Sequence, residues 1–558
     1  MPRVVRDDSS RGLGTMNLGA LRLTAAEAQK RGDYARASES WRMIVREAPD
    51  SSEAQESLGR LLREMADAAG SINAFRKAVL LPSGRSTANH DFGHICLNTQ
   101  RLGTALEIFD RGLRMTPRYD GLRFLCGVAA TRLNWLDVAY RYLAGLPPDT
   151  LSTWVGERER SREALRQLRA RIMDRLAARR RGPLSRGDLL ELAADLVAAG
   201  KIRAASSIVA ELRGVDGVPQ DLLPTLLALT KRRDGRLAAM AVASAASRQG
   251  QPAAVAHLLA TACLDGDDYA SAARILQELP EEQHSEATRS TLSVALLLTG
   301  DLEELGRVTS EWCSTSGTTL ASRALLSAQL ARGLIPRALR DQAPWQSDMP
   351  LPIIQFWHDP QVPDDVAAAM TTWIGSTPGL QPTVFSAASA RAWLHQHVGP
   401  QAVRYMDRCY HPAMEADLFR LYYLLVQGGV YVDADESCRA PLTPLLNALT
   451  ETEAVVVISG ELVPYVHNYF IVCRPGSKLL QQAIRDVEAR LEAEARPPIW
   501  DATGPGCVTR SVARVLLQAD TESGSLVNII SEQQYRNFAL NHSDLAYKRT
   551  VSGSWTRA

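Results

Sequence analysis

No stretch of about 18 consecutive apolar residues occurs anywhere in this chain, which excludes a helix that crosses a membrane. The opening residues MPRVVRDDSSRGLGTMN carry positive charge with no apolar run behind it. That argues against a secretory signal and leaves the cytoplasm as the expected compartment. The eight cysteines are scattered, with no CxxC pair and no short spacing suited to zinc, so they read as reduced, mostly buried thiols. Charge of one sign is missing as well: 63 basic against 62 acidic residues give a formal net charge of +1. Nothing in that balance pulls the protein toward nucleic acid or an anionic membrane. What is present is an ordinary globular composition, 46% apolar and 22% charged, in 558 residues. That length exceeds what one hydrophobic core holds, so several domains are expected.

The first 150 residues repeat. Ala25, Gly59, Gly93 and Gly127 fall 34 positions apart, as do Ala37, Ser71, Ala105 and Ala139. A third column at the same interval holds Trp41, Phe75, Phe109 and Leu143, with Pro49, Pro82 and Pro117 near the unit ends. Small residues where two helices cross, a bulky residue filling the gap and a terminal proline describe a helix-turn-helix unit that stacks on copies of itself. The pattern resembles the tetratricopeptide repeat. It fades and returns at Gly200, Gly235, Gly266, Gly300 and Gly333, where GDDYASAARIL and GDLEELGRV echo GDYARASES. Between the two arrays an arginine-rich run over 156–186 reads as a solvated connecting helix or as a basic docking surface. The expected division is a flexible segment 1–17, tetratricopeptide-like repeats 18–155, the connector 156–186 and a second array 187–340. Stacked repeats form extended binding surfaces, so the arm is assigned recognition of a protein partner.

Character changes after Arg340. A polar, proline-containing linker (341–350) precedes short apolar runs bounded by turn residues: IIQFW, PTVF, VYV, AVVVI and FIVC. They alternate with helical patterns at Ala387–Val398, Met414–Val426 and Lys478–Ala495, which predicts an α/β layered domain with a largely parallel sheet over 351–558.

The densest chemistry lies in AMEADLFRLYYLLVQGGVYVDAD, residues 413–435. Asp417 and Arg420, three apart, share one helix face; alone such a pair is usually a surface ion pair. Gly428 and Gly429 end the helix and turn the chain into a short strand. Alternation along that strand puts Tyr431, Asp433 and Asp435 on one face. Two carboxylates at a strand's carboxyl edge offer hard oxygen ligands to a divalent cation, in the crevice where open α/β sheets bind nucleotides. Trp357, closing the first strand, either stacks on a base there or packs the core. A phosphohydrolase site also ends a strand in Asp-X-Asp, but the Gly-Gly-Val-Tyr entry and the following Glu436 and Ser437 do not suit it.

Together IIQFWHD, ADLFRLYYLLVQGGVYVDADE, HNYFIVCRPGSKLL and TGPGCVT resemble the DXD-containing glycosyltransferases of family 32, over roughly Pro352 to Trp555. Relatives of that family include yeast initiating mannosyltransferases, bacterial capsule-type transferases and the catalytic domains of large clostridial glucosylating toxins. The resemblance implies a GT-A fold that transfers a sugar from a UDP- or GDP-sugar with retention, using Mn²⁺ or Mg²⁺. Carried over, Trp357 stacks on the base, and Asp417 and Arg420 hold the sugar and its leaving phosphate with Tyr431 nearby. Asp433 meets ribose and metal, and Asp435 binds metal. Asn468 lines the sugar pocket, Thr503, Gly504 and Gly506 form a turn beside it, and Ser554 and Trp555 close over the diphosphate. Relatives carry a histidine shortly before Ser-Trp; here either His542 is displaced by an insertion, or Lys548 and Arg549 take that duty. The acceptor is expected to be a protein recruited by the arm, or alternatively a cell-surface or lipid-linked glycan. An inactive scaffold is the remaining alternative.

Overall fold

A computed structural model describes residues 17–147, 152–213, 219–246, 252–335, 352–377, 380, 382–518, 526–542 and 545–549. The segment 1–16, the linker 341–350 and the residues Ser554 and Trp555 lie outside the described residues. From Leu18 to Ala331 every element is helical, and from Ile353 onward strands and helices mix.

The 34-residue columns have a steric basis. A Cβ added at Gly59 would come within 2.8 Å of the Phe75 ring, and one at Gly127 within 2.5 Å of Leu143. At Gly93 it would strike the Phe109 ring. Each small residue therefore receives the bulky residue of the neighbouring helix 16 positions later, and Phe75 and Phe109 are fully buried. The turns repeat with the same period. Gly32, Ala66, Gln100 and Asn134 all adopt positive φ, between 57° and 77°. Past each, a backbone N–H reaches back five residues, as from Asp33 to Ala28 (2.9 Å) and Asp67 to Leu62 (2.9 Å). The Gly-Asp signature is thus two devices in sequence: a left-handed residue that ends one helix, then a carboxylate that caps the next. Asp33 caps Arg36 N (3.1 Å) and Asp301 caps Glu304 N (3.2 Å). In Gly266-Asp267-Asp268 the register slips by one. Gly266 stays at φ −83°, Asp267 takes the left-handed turn and Asp268 caps Ser271.

The arginine-rich run forms one 30-residue helix, Ser152–Arg181. Leu165, Leu168 and Ile172 bury one side of it. Arg175 pairs with Glu191 and Asp195, and Arg179 pairs with Glu211 (2.6 Å), all from the following units. The two arrays also meet directly. Asp265 of the second caps the helix Leu102–Met115 of the first, accepting from Gly103 N (3.1 Å) and Thr104 N (3.0 Å). The fully buried Arg101 pairs with Asp267 between the Phe92 and Tyr269 rings.

The C-terminal unit is built on a six-stranded sheet ordered β2-β1-β3-β6-β5-β7 and a two-stranded ribbon β4-β8. The strands are β1 Ile353–Phe356, β2 Pro382–Phe385, β3 Gly429–Val432, β4 Glu436–Cys438, β5 Ala454–Ile458, β6 Val466–Cys473, β7 Val527–Ser531 and β8 Ala539–Asn541. The sheet is mixed rather than largely parallel: β6 runs antiparallel to both β3 and β5, while β1–β2, β1–β3 and β5–β7 are parallel. The cause is the short 459–465 connection, which can only return as a hairpin, whereas parallel neighbours need a crossover. Register between β5 and β6 steps from Val456↔Ile471 to Ile458↔Val466, so residues 467–470 bulge away from β5.

The solenoid is fused to this unit through a shared core. Leu326, Leu330 and Ile335 join the cluster that contains Phe356, Phe419 and Val456. Trp312 and Leu325 pack with Ala513 of the helix Pro505–Gln518. In return Leu462, from the β5–β6 hairpin, enters the solenoid's main cluster.

Two outcomes are expected. Gly93→Ala gains helix propensity but overpacks Phe109, for a net loss of about 1–2 kcal/mol read by thermal denaturation, and Phe109→Leu in the same chain restores most of it. A chain lacking 1–335 exposes the Leu462 hairpin and the Ala513 face, and so binds a hydrophobic dye and loses near-ultraviolet dichroism; a well-packed monomer would contradict this.

Candidate active site

One large cleft, about 630 Å³, opens where β1 and β3 end and β6 begins, and it is lined by Trp357, Asp417, Arg420, Tyr431, Asp433, Asp435, Asn468 and Gly504 among others. That volume is within the usual range for small-molecule sites.

Its floor is the helix Pro412–Gln427, with proline in the first turn and His411 accepting from Ala413 N at 3.1 Å. Leu418, Phe419, Leu421 and Leu424 bury the rest of the helix. Asp417 and Arg420 are not a surface pair: their side chains are 7% and 4% exposed, 2.9 Å apart. Asp417 Oδ1 also accepts from Asn468 Nδ2 (2.7 Å), and its Oδ2 accepts from Thr503 Oγ1 (3.0 Å). Burial raises the Asp417 carboxyl against the pull of Arg420 and these two donors.

Arg420 is fully committed. It donates to the carbonyls of Asn468 and Ala416, lies 3.2 Å from Asp433 Oδ1, and stacks 4.0 Å above the Tyr431 ring. Tyr431 Oη donates to the same Asp433 oxygen at 3.0 Å, so the shared strand face read from alternation is observed. Gly428, just before the strand, and Gly429, its first residue, are both sterically required. Gly428 and Gly429 have φ of 66° and 113°, and a Cβ on the first would come 2.6 Å from Pro475.

Asp433 and Asp435 both face the cleft. Removal from water pushes the Asp433 carboxyl up, with Arg420 opposing and Asp435 and Asp417 adding to the push. Asp435 Oδ2 accepts from Tyr547 Oη at 3.1 Å and pairs with the Lys548 ammonium. Trp357 stands edge-on to Tyr547 at 5.0 Å, exposed to the cleft. Lys548 thus lines the cleft while His542 is turned toward Ser437 (2.9 Å), away from the lining. Gly504 lines the cleft, but Gly506 does not. It sits in the helix Pro505–Gln518 against Asp501 and Trp500, where any Cβ would collide, so its part is to seat Trp500.

Several lining residues escaped the sequence reading. Tyr547 follows a run with no recognisable pattern. Tyr465, His467 and Tyr469 flank the noted Asn468 at period two, and that alternation was the available signal. Behind the lining, Glu436, directly after Asp435, is fully buried under Tyr535 and Asn541, and burial lifts its carboxyl to about 8.

Residues 363–455 match the family model described as the glycosyltransferase sugar-binding region containing a DXD motif. The C-terminal unit is a glycosyltransferase domain of the DXD kind. No curated protein matches the chain. Among solved structures the chain is similar to the PaToxG glycosyltransferase (12% identity, 30% of this chain and 69% of that one, TM-score 0.25). It is also similar to a mutant Thermobaculum terrenum O-GlcNAc transferase (22% identity, 23% and 25% covered, TM-score 0.19). A third is a tetratricopeptide repeat protein from Parabacteroides merdae (14% identity, 50% and 98% covered, TM-score 0.22). No helix among the described residues of the chain is long and apolar enough to cross a membrane.

Within this transferase domain Arg420 neutralises two carboxylates at once, the buried Asp417 and the half-buried Asp433. Arg420→Ala is expected to cost about 3–5 kcal/mol, because Asp417 and Asp433 are left uncompensated, with Arg420→Lys intermediate. Thermal denaturation checks this; a loss under about 1 kcal/mol contradicts the assignment.

Proposed function

We propose that the domain transfers a sugar from a UDP- or GDP-sugar to an acceptor, with retention of configuration and a divalent cation, in the manner of family 32. The observation that carries this reading is the continuous chain Asn468–Asp417–Arg420–Asp433 on the floor of a cleft that also holds Asp435, Lys548 and Trp357.

The residues fit a cation bound partly through its substrate. Among the described residues no group of three or more acidic, histidine or cysteine side chains forms a complete metal cage. Two carboxylates plus diphosphate oxygens and water are the usual way Mg²⁺ is held. The Lys548 ammonium already rests on Asp435, a cation in the position the reading requires. When bound there through Asp433 and Asp435, Mn²⁺ or Mg²⁺ would supply Lewis-acid stabilisation of the diphosphate.

The protein's own groups do the remainder. Trp357 and Tyr547 offer an aromatic corner for the base. Lys548 and Arg420 put positive charge where the leaving phosphate gains negative charge. Asp417, fixed by Asn468 and Thr503, holds sugar hydroxyls. Because Asp417 also pairs with Arg420 and so already has three partners, it is a poor covalent nucleophile, which favours substitution from the face of the departing phosphate. The solenoid is read as the surface that holds a protein or polymer partner carrying the acceptor.

Hydrolysis of UDP-glucose, UDP-GlcNAc, UDP-galactose and GDP-mannose with Mn²⁺ tests the reading. At least one donor should turn over, chelation should stop it, and Asp433→Ala/Asp435→Ala should slow it by about 100-fold or more. Normal turnover in the double variant removes the site assignment. Failure of all four donors to bind favours the inactive scaffold.

A further inference from the structure

Resting on the transferase reading, we infer that the wall formed by Tyr465, His467 and Trp500 is the acceptor subsite and that the group it receives is a neutral sugar ring. The donor reading uses the base corner, the two carboxylates and the Asp417–Asn468 pocket, and leaves this part of the cleft unassigned. The wall begins where that pocket ends, since His467 and Tyr469 flank Asn468 on β6.

Its geometry is aromatic and continuous. Tyr465 and His467 have ring centroids 4.8 Å apart, Tyr465 and Trp500 5.6 Å, and His467 and Tyr469 4.5 Å. The 467–470 bulge frees this stretch from β5, and His467, Asn468 and Tyr469 within it line the cleft. The lining contributed by 465–469 and 499–505 contains no Asp, Glu, Lys or Arg. A phosphate or a charged peptide finds no counter-ion here. A pyranose ring presents an apolar C–H face that suits aromatic faces and hydroxyls that need hydrogen-bond partners. His467 supplies such a partner: its Nε2 is buried and makes no hydrogen bond within the chain. Burial holds this imidazole neutral, lowering its pKa to about 4, so it meets a hydroxyl rather than an anion.

The solenoid fixes the wall in place. Arg323, from the helix Thr319–Ala331, lies 5.7 Å over the Tyr465 ring, pairs with Glu461 at 2.6 Å and donates to the Val463 carbonyl. These two charges satisfy each other, with the guanidinium covering one face of the Tyr465 ring.

Saturation-transfer NMR with maltose, cellobiose, lactose and N,N′-diacetylchitobiose, beside a neutral Ser/Thr peptide, tests binding without any donor. At least one saccharide should bind, and Trp500→Ala and Tyr465→Ala should each weaken it by about tenfold or more, while Tyr465→Phe stays within about threefold. With Mn²⁺ and an intact donor of the kind the protein turns over, the same saccharide should receive sugar, and Trp500→Ala should lower the ratio of transfer to hydrolysis by about tenfold. Trp500→Phe, which keeps a ring, guards against a folding defect. Binding of no saccharide, equal binding by wild type and Trp500→Ala, or transfer to the peptide alone overturns the inference. Saccharide binding lost in Trp500→Ala, with no donor hydrolysed, would leave the wall standing and remove the transferase reading instead.

Discussion

A single buried guanidinium organises the C-terminal unit. Arg420 joins the helix Pro412–Gln427 to β3 through Tyr431 and Asp433, and to β6 through the Asn468 carbonyl. Isolated charges so far from water would cost several kcal/mol each, and this group persists because every neighbour is a carboxylate, a carbonyl or a ring face. The same contacts hold Asp417 and Asp433 on one nitrogen of the same cation, at the floor of the cleft. Stability and site geometry are therefore one arrangement here.

The solenoid is less an appendage than a third layer of the domain. The Leu462 hairpin is buried among its helices, and Glu461 sits beside Arg323 with Arg63 and Arg132 also acting on it. Those residues belong to early and late repeats, so the hairpin closes the superhelix where its two ends approach. Since the hairpin runs straight into Tyr465 and Asn468, the helical arm determines the shape of one cleft wall. A partner held by the arm would be held at a set position relative to the Asp433–Asp435 edge.

Much of this was legible from the chain. The 34-residue columns state a contact between a small and a bulky residue, and the Gly-Asp pairs state a turn and a cap, all of which are decided within one repeat. The Asp-X-Asp strand was legible because its glycines, its alternation and its preceding helix agree. The sheet's direction was not: β5 and β6 read as two buried strands, and the length of the loop between them, rather than their composition, makes them antiparallel. The turn at Asp267 was also hidden, because a neighbouring glycine offered the more obvious site and the bond from Asp268 N to Cys263 O chose the register. Gly506 was read as part of the site, whereas the packing of Trp500 puts it behind the wall.

By itself, then, the order of residues determined the repeats, the Gly-Gly turn and the residue types that face a cation, since each rests on contacts within a few helical turns or one strand. Tertiary structure alone decided that Asp417 is buried under Asn468 and Thr503, that the Lys548 ammonium rather than the His542 ring meets the Asp435 carboxylate, and that a solenoid arginine steadies Tyr465. These partners are separated by 51 to 142 positions along the chain. Only the closing of the core brings such distant groups within hydrogen-bonding range, and no local preference encodes it.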